Sequence, residues 1–301
     1  MADTNKPQKA QSPQEAQIKP ASPFKAIFPV LAILVCAAVA FFTFYKGFGA
    51  PENFEEGEQR YEEYMAWVEA GEQGEPPIHW TEGEPAHTFG LVYKGGWVIP
   101  IGMTITLVIL VFLVERGITI FRASGKGNTD VFVKKVRLKL AQGAINEAEE
   151  LCDRQRGSVG SVIKAGLRKY KEMELATDLE KEQRKTAIQA EIEEATMLEL
   201  PMLERNLPIL ATTATLGVLV GLFGTVLGMI RAFSALGEGG APNAAELSVG
   251  ISEALINTAF GIGNSMISVL LYNFFTTKID GMTYAMDEAG YSIVQTFDIN
   301  N

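Results

Sequence analysis

The sequence predicts an all-α membrane protein, with four transmembrane helices and long helical extensions on the cytoplasmic side. Three observations carry that prediction. Four charge-free apolar stretches, at 26–45, 95–114, 206–230 and 254–277, run 20, 20, 25 and 24 residues. A helix needs about 20 such residues to cross ~30 Å of hydrocarbon. None of the stretches alternates with the period of two that a barrel strand shows, and only helices or closed barrels satisfy their backbone in lipid. The 26 Lys and Arg are also segregated: 4 precede the first stretch, 3 lie between the first and second, 17 fall in 115–205, and Arg231 and Lys278 complete the set. Because basic loops stay inside, the N-terminus and the 115–205 segment are placed in the cytoplasm and residues 47–95 outside. Four crossings then return the C-terminus to the cytoplasm.

In chain order, residues 1–25 are rich in Gln, Pro, Ala and Lys and read as a disordered tail. Residues 26–46 form the first helix. Lys19 and Lys25 ahead of it also suit a secretory signal, but the length and the aromatic ending Phe41-Phe42-Thr43-Phe44-Tyr45 favour a retained span. Residues 47–95 are an acidic outer segment; between Lys46 and Gly96 there are 11 acidic and 3 basic residues. Tyr61, Tyr64, Met65 and Val68 recur there at helical spacing, which predicts a short amphipathic helix, read as a solvated cover or as a docking face for an envelope partner. The second span, 96–118, opens with Trp97 at the interface. The segment 119–205 reads as helices: Phe132, Val136 and Leu140, then Ile145, Ala148 and Cys152, a break at Gly157 and Gly160, and a charged helix carrying Ile188, Ile192 and Ala195 on one side. Pro201 and Pro208 are expected to kink the entry to the third span. Spans 206–236 and 243–278 follow, joined by a Gly-rich turn, and 279–301 extends the last helix onto the cytoplasmic helices.

The last two spans carry the functional signal. Counted from the middle of their turn, Thr225 lies about 15 residues back and Thr258 about 18 forward, so their hydroxyls differ in height by only ~5 Å. Gly217, Gly221, Gly224 and Gly228 form a small-residue stripe on the third span, spaced four, three and four, and such stripes let helix backbones approach closely. On the fourth span Glu253, Asn257, Gly261, Asn264 and Ser268 share one face, too polar to meet lipid. Two plainer readings stand beside these. The Thr225 hydroxyl can bond back to the Gly221 carbonyl, and Glu253 can sit at the interface just outside the hydrocarbon.

Gly221-Leu-Phe-Gly-Thr-Val-Leu-Gly-Met followed by Gly250-Ile-Ser-Glu-Ala-Leu-Ile-Asn-Thr-Ala-Phe-Gly resembles the ExbB/TolQ/MotA proton-channel family, nearest in pattern to ExbB. The resemblance covers roughly residues 205–273. It implies a ring-forming subunit of an inner-membrane motor, a homopentamer surrounding two single-span ExbD-like subunits. Inward proton flow would work a TonB-like arm and energise outer-membrane transport. Carried over by motif, Thr225 and Thr258 are the pore-facing threonines, and Glu253, the acidic residue of the family's third helix, is placed with them on the proton pathway. Protons are the coupling ion, no other cofactor is implied, and the proton-carrying aspartate belongs to the partner. The chain departs from the family in two respects: an additional N-terminal span with an acidic outer segment, and Gly217-Val218 where many relatives have Ala-Pro. A charge crossing 100 mV gains ~2.3 kcal/mol, so a few protons supply useful work.

Other functions find little support. Cys36 and Cys152 belong to different compartments and imply no disulfide framework, and His79 and His87 lie in a loop without a metal-ligand cluster. Gly221-Leu-Phe-Gly-Thr lacks the lysine of a phosphate loop, and the chain shows no nucleophile–base pair and no basic patch for nucleic acid. The alternatives are a TolQ-type envelope-maintenance motor, a motility stator, a secondary transporter or a structural scaffold.

Overall fold

The computed structural model describes residues 23–72, 75–237 and 244–300. Most of the tail read as disordered and the turn at 238–243 lie outside the described residues. Ten α-helices make up almost all of the described residues: α1 (Pro23–Phe42), α2 (Gly57–Glu69), α3 (Thr88–Tyr93), α4 (Ile99–Ala123), α5 (Thr129–Ala141), α6 (Ile145–Gln155), α7 (Ser158–Leu175), α8 (Lys181–Glu204), α9 (Leu207–Gly237) and α10 (Ala244–Asn300). The only β pairing among the described residues is an isolated bridge between Phe54 and Pro85. Four helical stretches are long and apolar enough to cross a membrane: Ile27–Phe48, Gly96–Ala123, Lys181–Ser234 and Glu246–Asn300.

The four spans form one layer, with two polar modules beyond its ends. α4 is central, packed by α1 on one side and by α9 and α10 on the other. From Ile27 onward α1 is mostly exposed and, among its described side chains, buries only Cys36 and Ala40; Phe28 meets Phe112 edge-on at 6.3 Å. At one end residues 43–72 and 75–98 fold into a cap. α1 runs into a π-helical turn, Thr43–Phe48, and Asn53 Nδ2 donates to the Gly47 carbonyl at 2.8 Å. Trp80 stacks on His79, meets Tyr61 and Tyr64 edge-on, and donates to the Gly49 carbonyl at 2.9 Å. Phe44 stacks on Tyr93 at 4.8 Å, so aromatic contacts tie α1 to the segment entering α4. The short helix expected from the apolar spacing is present. α2 packs through Arg60, Tyr64 and Trp67, while Tyr61, Met65 and Val68 stay more than a third exposed. The cap's interior is aromatic and takes in a guanidinium, so Arg60 and Trp67 join Tyr64 there, while Tyr61 touches Trp80 at its rim.

At the other end α5 to α8 form a stalk around the second half of α10. Asn128 caps α5 by accepting from the Asp130 N–H at 2.8 Å, and Glu180 and Gln183 form a capping box on α8. Arg156 and Gly157 turn the chain between α6 and α7 with φ of 55° and 90°. A side chain at Gly157 would fall 2.4 Å from the Ala123 carbonyl oxygen, so only glycine fits there. Val136, Leu140, Val162, Leu167 and Ile188 bury against Met286, Ala289, Ile293 and Phe297 of α10. Arg137–Glu288 at 2.6 Å and Lys181–Asp298 at 3.5 Å tie the rim. The single helix α10, 57 residues long, extends about 85 Å and so links membrane and stalk as one rod. The break between α8 and α9 comes at Asn206 (φ 64°), directly before the Leu207-Pro208 start of α9, whereas Pro201 is carried inside α8. Pro208 suits the first turn of a helix, where its missing N–H has no partner to lose.

Candidate functional site: a glycine-seamed hairpin with a threonine pair

α9 and α10 pack along a seam in which side chains are nearly absent. A Cβ on Gly228 would lie 2.7 Å from the Ala254 nitrogen, one on Gly221 3.1 Å from the Asn257 carbonyl oxygen, and one on Gly217 2.9 Å from the Gly261 carbonyl oxygen. From the other side, a Cβ on Gly261 would lie 2.5 Å from the Gly217 carbonyl oxygen. Gly224 faces the Asn257 side chain. Such close approach gains dispersion contacts, which hold helices together where lipid tails offer no hydrophobic drive.

The seam brings Thr225 and Thr258 together. Their hydroxyls are hydrogen-bonded to each other. Thr225 Oγ1 also reaches the Gly221 carbonyl at 3.1 Å and the Ala254 carbonyl at 3.4 Å, and Thr258 Oγ1 reaches the Ala254 carbonyl at 3.1 Å. The back-bond and the cross-helix pair thus coexist. Each hydroxyl is both donor and acceptor, so the pair can present a proton or a lone pair by rotation alone. Both threonines are half-buried. Beside Thr225 an open hollow of about 600 Å³ is lined by Val226, Met229, Ile230, Phe233 and Ser234.

Glu253 does not join this pair. It lies five residues before Thr258, which puts it ~140° around the helix. Its carboxylate is buried and receives Arg231 Nη1 at 3.1 Å, while any side chain on Gly96 would collide with it. The rest of the polar face is likewise saturated inside the chain. Asn257 Nδ2 donates to the Gly95 carbonyl at 2.8 Å, Asn264 Nδ2 to the Gly102 carbonyl at 3.0 Å, Thr106 Oγ1 to Asn264 Oδ1 at 2.8 Å, and Ser268 and Thr213 hydroxyls pair at 3.0 Å. The sequence identified this face as turned from lipid; it did not reveal that α4 and α9 consume its hydrogen bonds. The one available signal was the shared seven-residue step of Asn257–Asn264 and Gly95–Gly102.

Outside the membrane-spanning segments, the ionisable groups report packing. Hydrogen bonds from Lys171 at 2.6 Å and Arg168 at 3.2 Å hold the Glu149 carboxyl below the usual carboxylate range. Burial pushes the Cys152 thiol up to about 12. Burial lowers Lys94, and Glu82 offsets part of that. Among the described residues, no group of three or more His, Cys, Asp or Glu is arranged to hold a metal.

Residues 155–288 match the model of the MotA/TolQ/ExbB proton channel family. The ExbB-like 3 protein of Synechocystis sp. is 40% identical over 92 residues, covering 30% of this chain and 44% of the relative. Biopolymer transport protein ExbB of Aquifex aeolicus is 43% identical over 77 residues (26% and 52%), and Tol-Pal system protein TolQ of Haemophilus influenzae 37% over 84 (28% and 37%). The matches to these relatives span about half or less of each relative, and the family match at 155–288 contains the seam and both threonines. Over residues 155–288 the chain is thus similar to the MotA/TolQ/ExbB proton channel family.

Proposed function

We propose that this protein is the membrane subunit of a proton-motive-force-driven motor of the ExbB type. Five copies form a ring in the inner membrane, with both termini and the stalk in the cytoplasm and the cap outside. The ring surrounds two single-span ExbD-like subunits, whose carboxylates pass protons along the threonine hydroxyls, and the resulting movement works a TonB-like arm. The observation that carries this reading is the hydrogen-bonded Thr225–Thr258 pair on the glycine-seamed hairpin. Such hydroxyls donate to an ionised partner carboxylate and accept from its protonated form. The open hollow beside Thr225 offers space for a partner helix. In this reading Thr225 and Thr258 line the pathway, and Glu253, paired with Arg231, holds the outer end of the hairpin in place.

Thr258→Val keeps the shape and removes the hydroxyl. The complex, purified with its genomic neighbour and reconstituted in vesicles, is expected to assemble with this variant but to lose proton flux and energised uptake. Parental flux in Thr258→Val would remove the proposed role. The likeness to TolQ as well as ExbB supports a second reading, an envelope-maintenance motor. The sequence of the co-purifying single-span partner discriminates between the two.

A further inference from the structure

Asn257 sits where α4, α9 and α10 meet at the height of the threonine pair. It is 3% exposed, and its amide donates to the Gly95 carbonyl at 2.8 Å and the Glu253 carbonyl at 3.0 Å. Its Cβ and Cγ lie only 2.5 Å from where a Gly224 side chain would begin, so it packs directly on α9 at the residue before Thr225. Asn257 itself immediately precedes Thr258. Seven residues on, the arrangement recurs: Asn264 donates to the Gly102 carbonyl at 3.0 Å and accepts from Thr106 Oγ1 at 2.8 Å. The donors advance by two turns of α10 while the acceptors pass from the segment entering α4 into α4 itself, so α4 and α10 run parallel. One heptad further stand Ile109 and Leu271, both apolar, and the ladder ends after two rungs.

We propose that Asn257 is the positioning residue for the threonine pair, with Asn264 as the second rung that holds α10 on α4. The proposal rests on reading that pair as the proton pathway. Apolar side chains alone specify helix rotation weakly in lipid, because the tails are as apolar as the side chains. An amide turned away from the Gly95 carbonyl would keep only its bond to the Glu253 carbonyl within α10 and lose its one acceptor outside that helix, which makes other rotations of α10 costly. The charged groups around Asn257 are Glu253, one turn away on α10, Arg231 from α9, and Lys94, the residue before the Gly95 acceptor, which interacts with Glu82 and Arg231.

Two variants of the full chain separate positioning from space-filling. Asn257→Leu has similar bulk and no donor. Asn257→Asp has the same shape and donates to the Gly95 carbonyl only while protonated. In reconstituted complexes, flux through Asn257→Leu is expected to fall at least tenfold at every pH. Flux through Asn257→Asp, taken as a ratio to the parent, is expected to be near one in acid and to decline as pH rises. A structural readout independent of proton flow accompanies these. In a Cys36→Ala/Cys152→Ala background, disulfide formation by the Thr225→Cys/Thr258→Cys pair is expected to slow at least fivefold on adding Asn257→Leu. An unchanged disulfide rate, or an Asp-to-parent flux ratio that stays flat with pH, overturns the proposal. Absence of flux in the parent with a slowed disulfide rate would instead sink the motor reading and leave the positioning role standing.

Discussion

Replacing Gly228 by alanine tests the seam on which the threonine contact depends. The new Cβ would stand 2.7 Å from the Ala254 nitrogen, 2.8 Å from the Gly250 carbonyl oxygen and 2.9 Å from the Ala254 Cβ. Two of those atoms are backbone, so α9 and α10 must separate by about 0.7 Å to restore an ordinary contact near 3.4 Å. A gap of 0.5–1 Å forfeits a quarter to a half of each dispersion well of ~0.1–0.2 kcal/mol. Over roughly 20 atom pairs along the seam this amounts to about 1 kcal/mol, and overpacking strain adds ~1–3 kcal/mol. The control is Gly263→Ala on the facing helix α10, where an added Cβ has nothing within 4 Å; relief from glycine's conformational freedom should make it neutral or stabilising by up to ~1 kcal/mol. Denaturation of the purified protein in detergent, followed by tryptophan fluorescence, is expected to rank Gly228→Ala below the parent by about 2–4 kcal/mol and Gly263→Ala at or above it. Equal stability of the two variants would refute the close-approach argument.

Arg231→Gln leaves the buried Glu253 carboxylate without its cation. Because the arginine side chain is 66% exposed, the cost is expected near ~1 kcal/mol rather than the ~3–5 kcal/mol of a fully buried pair. Adding Glu253→Gln should recover most of that cost in a double-mutant cycle, and strict additivity would show that the pair is not coupled. In the stalk, the carboxyl of Glu149 titrates below its ordinary range, so the stability it contributes is present at neutral pH and lost as pH falls through its folded pKa. Glu149→Gln is therefore expected to be less stable than the parent by ~0.2–1 kcal/mol at pH 7, with the difference vanishing in acid; helical melts at the two pH values check this. With its thiol pushed up to about 12 and buried, Cys152 is expected to resist maleimide at neutral pH until the protein is denatured, as intact-mass measurement would show.

Much of this architecture was legible in the sequence because bilayer physics leaves few choices. A charge-free run of 20 residues that must satisfy its own backbone becomes a helix, and counting along the two runs joined by one turn brings Thr225 level with Thr258. What resisted reading was the partner of each polar group. Helical period shows that Glu253, Asn257, Asn264 and Ser268 share a face, but a pore, a neighbouring subunit and α4 all satisfy that constraint. The acceptors for the two asparagines are carbonyls 162 residues away, and a backbone acceptor leaves no mark in residue type. The glycines at 95 and 102 were the only trace. The cap resisted for another reason: its packed face mixes Arg60 with Tyr64 and Trp67, so a search for apolar spacing finds Tyr64 but not its two neighbours.

The claim on which the account turns is that Thr225 and Thr258 face a central axis filled by another protein. A density map of the assembly, purified from membranes with its single-span neighbour, tests it most directly. Five copies with both hydroxyls directed at a partner helix on the axis are the predicted result. Threonines directed at lipid, or an axis with nothing in it, would contradict the account.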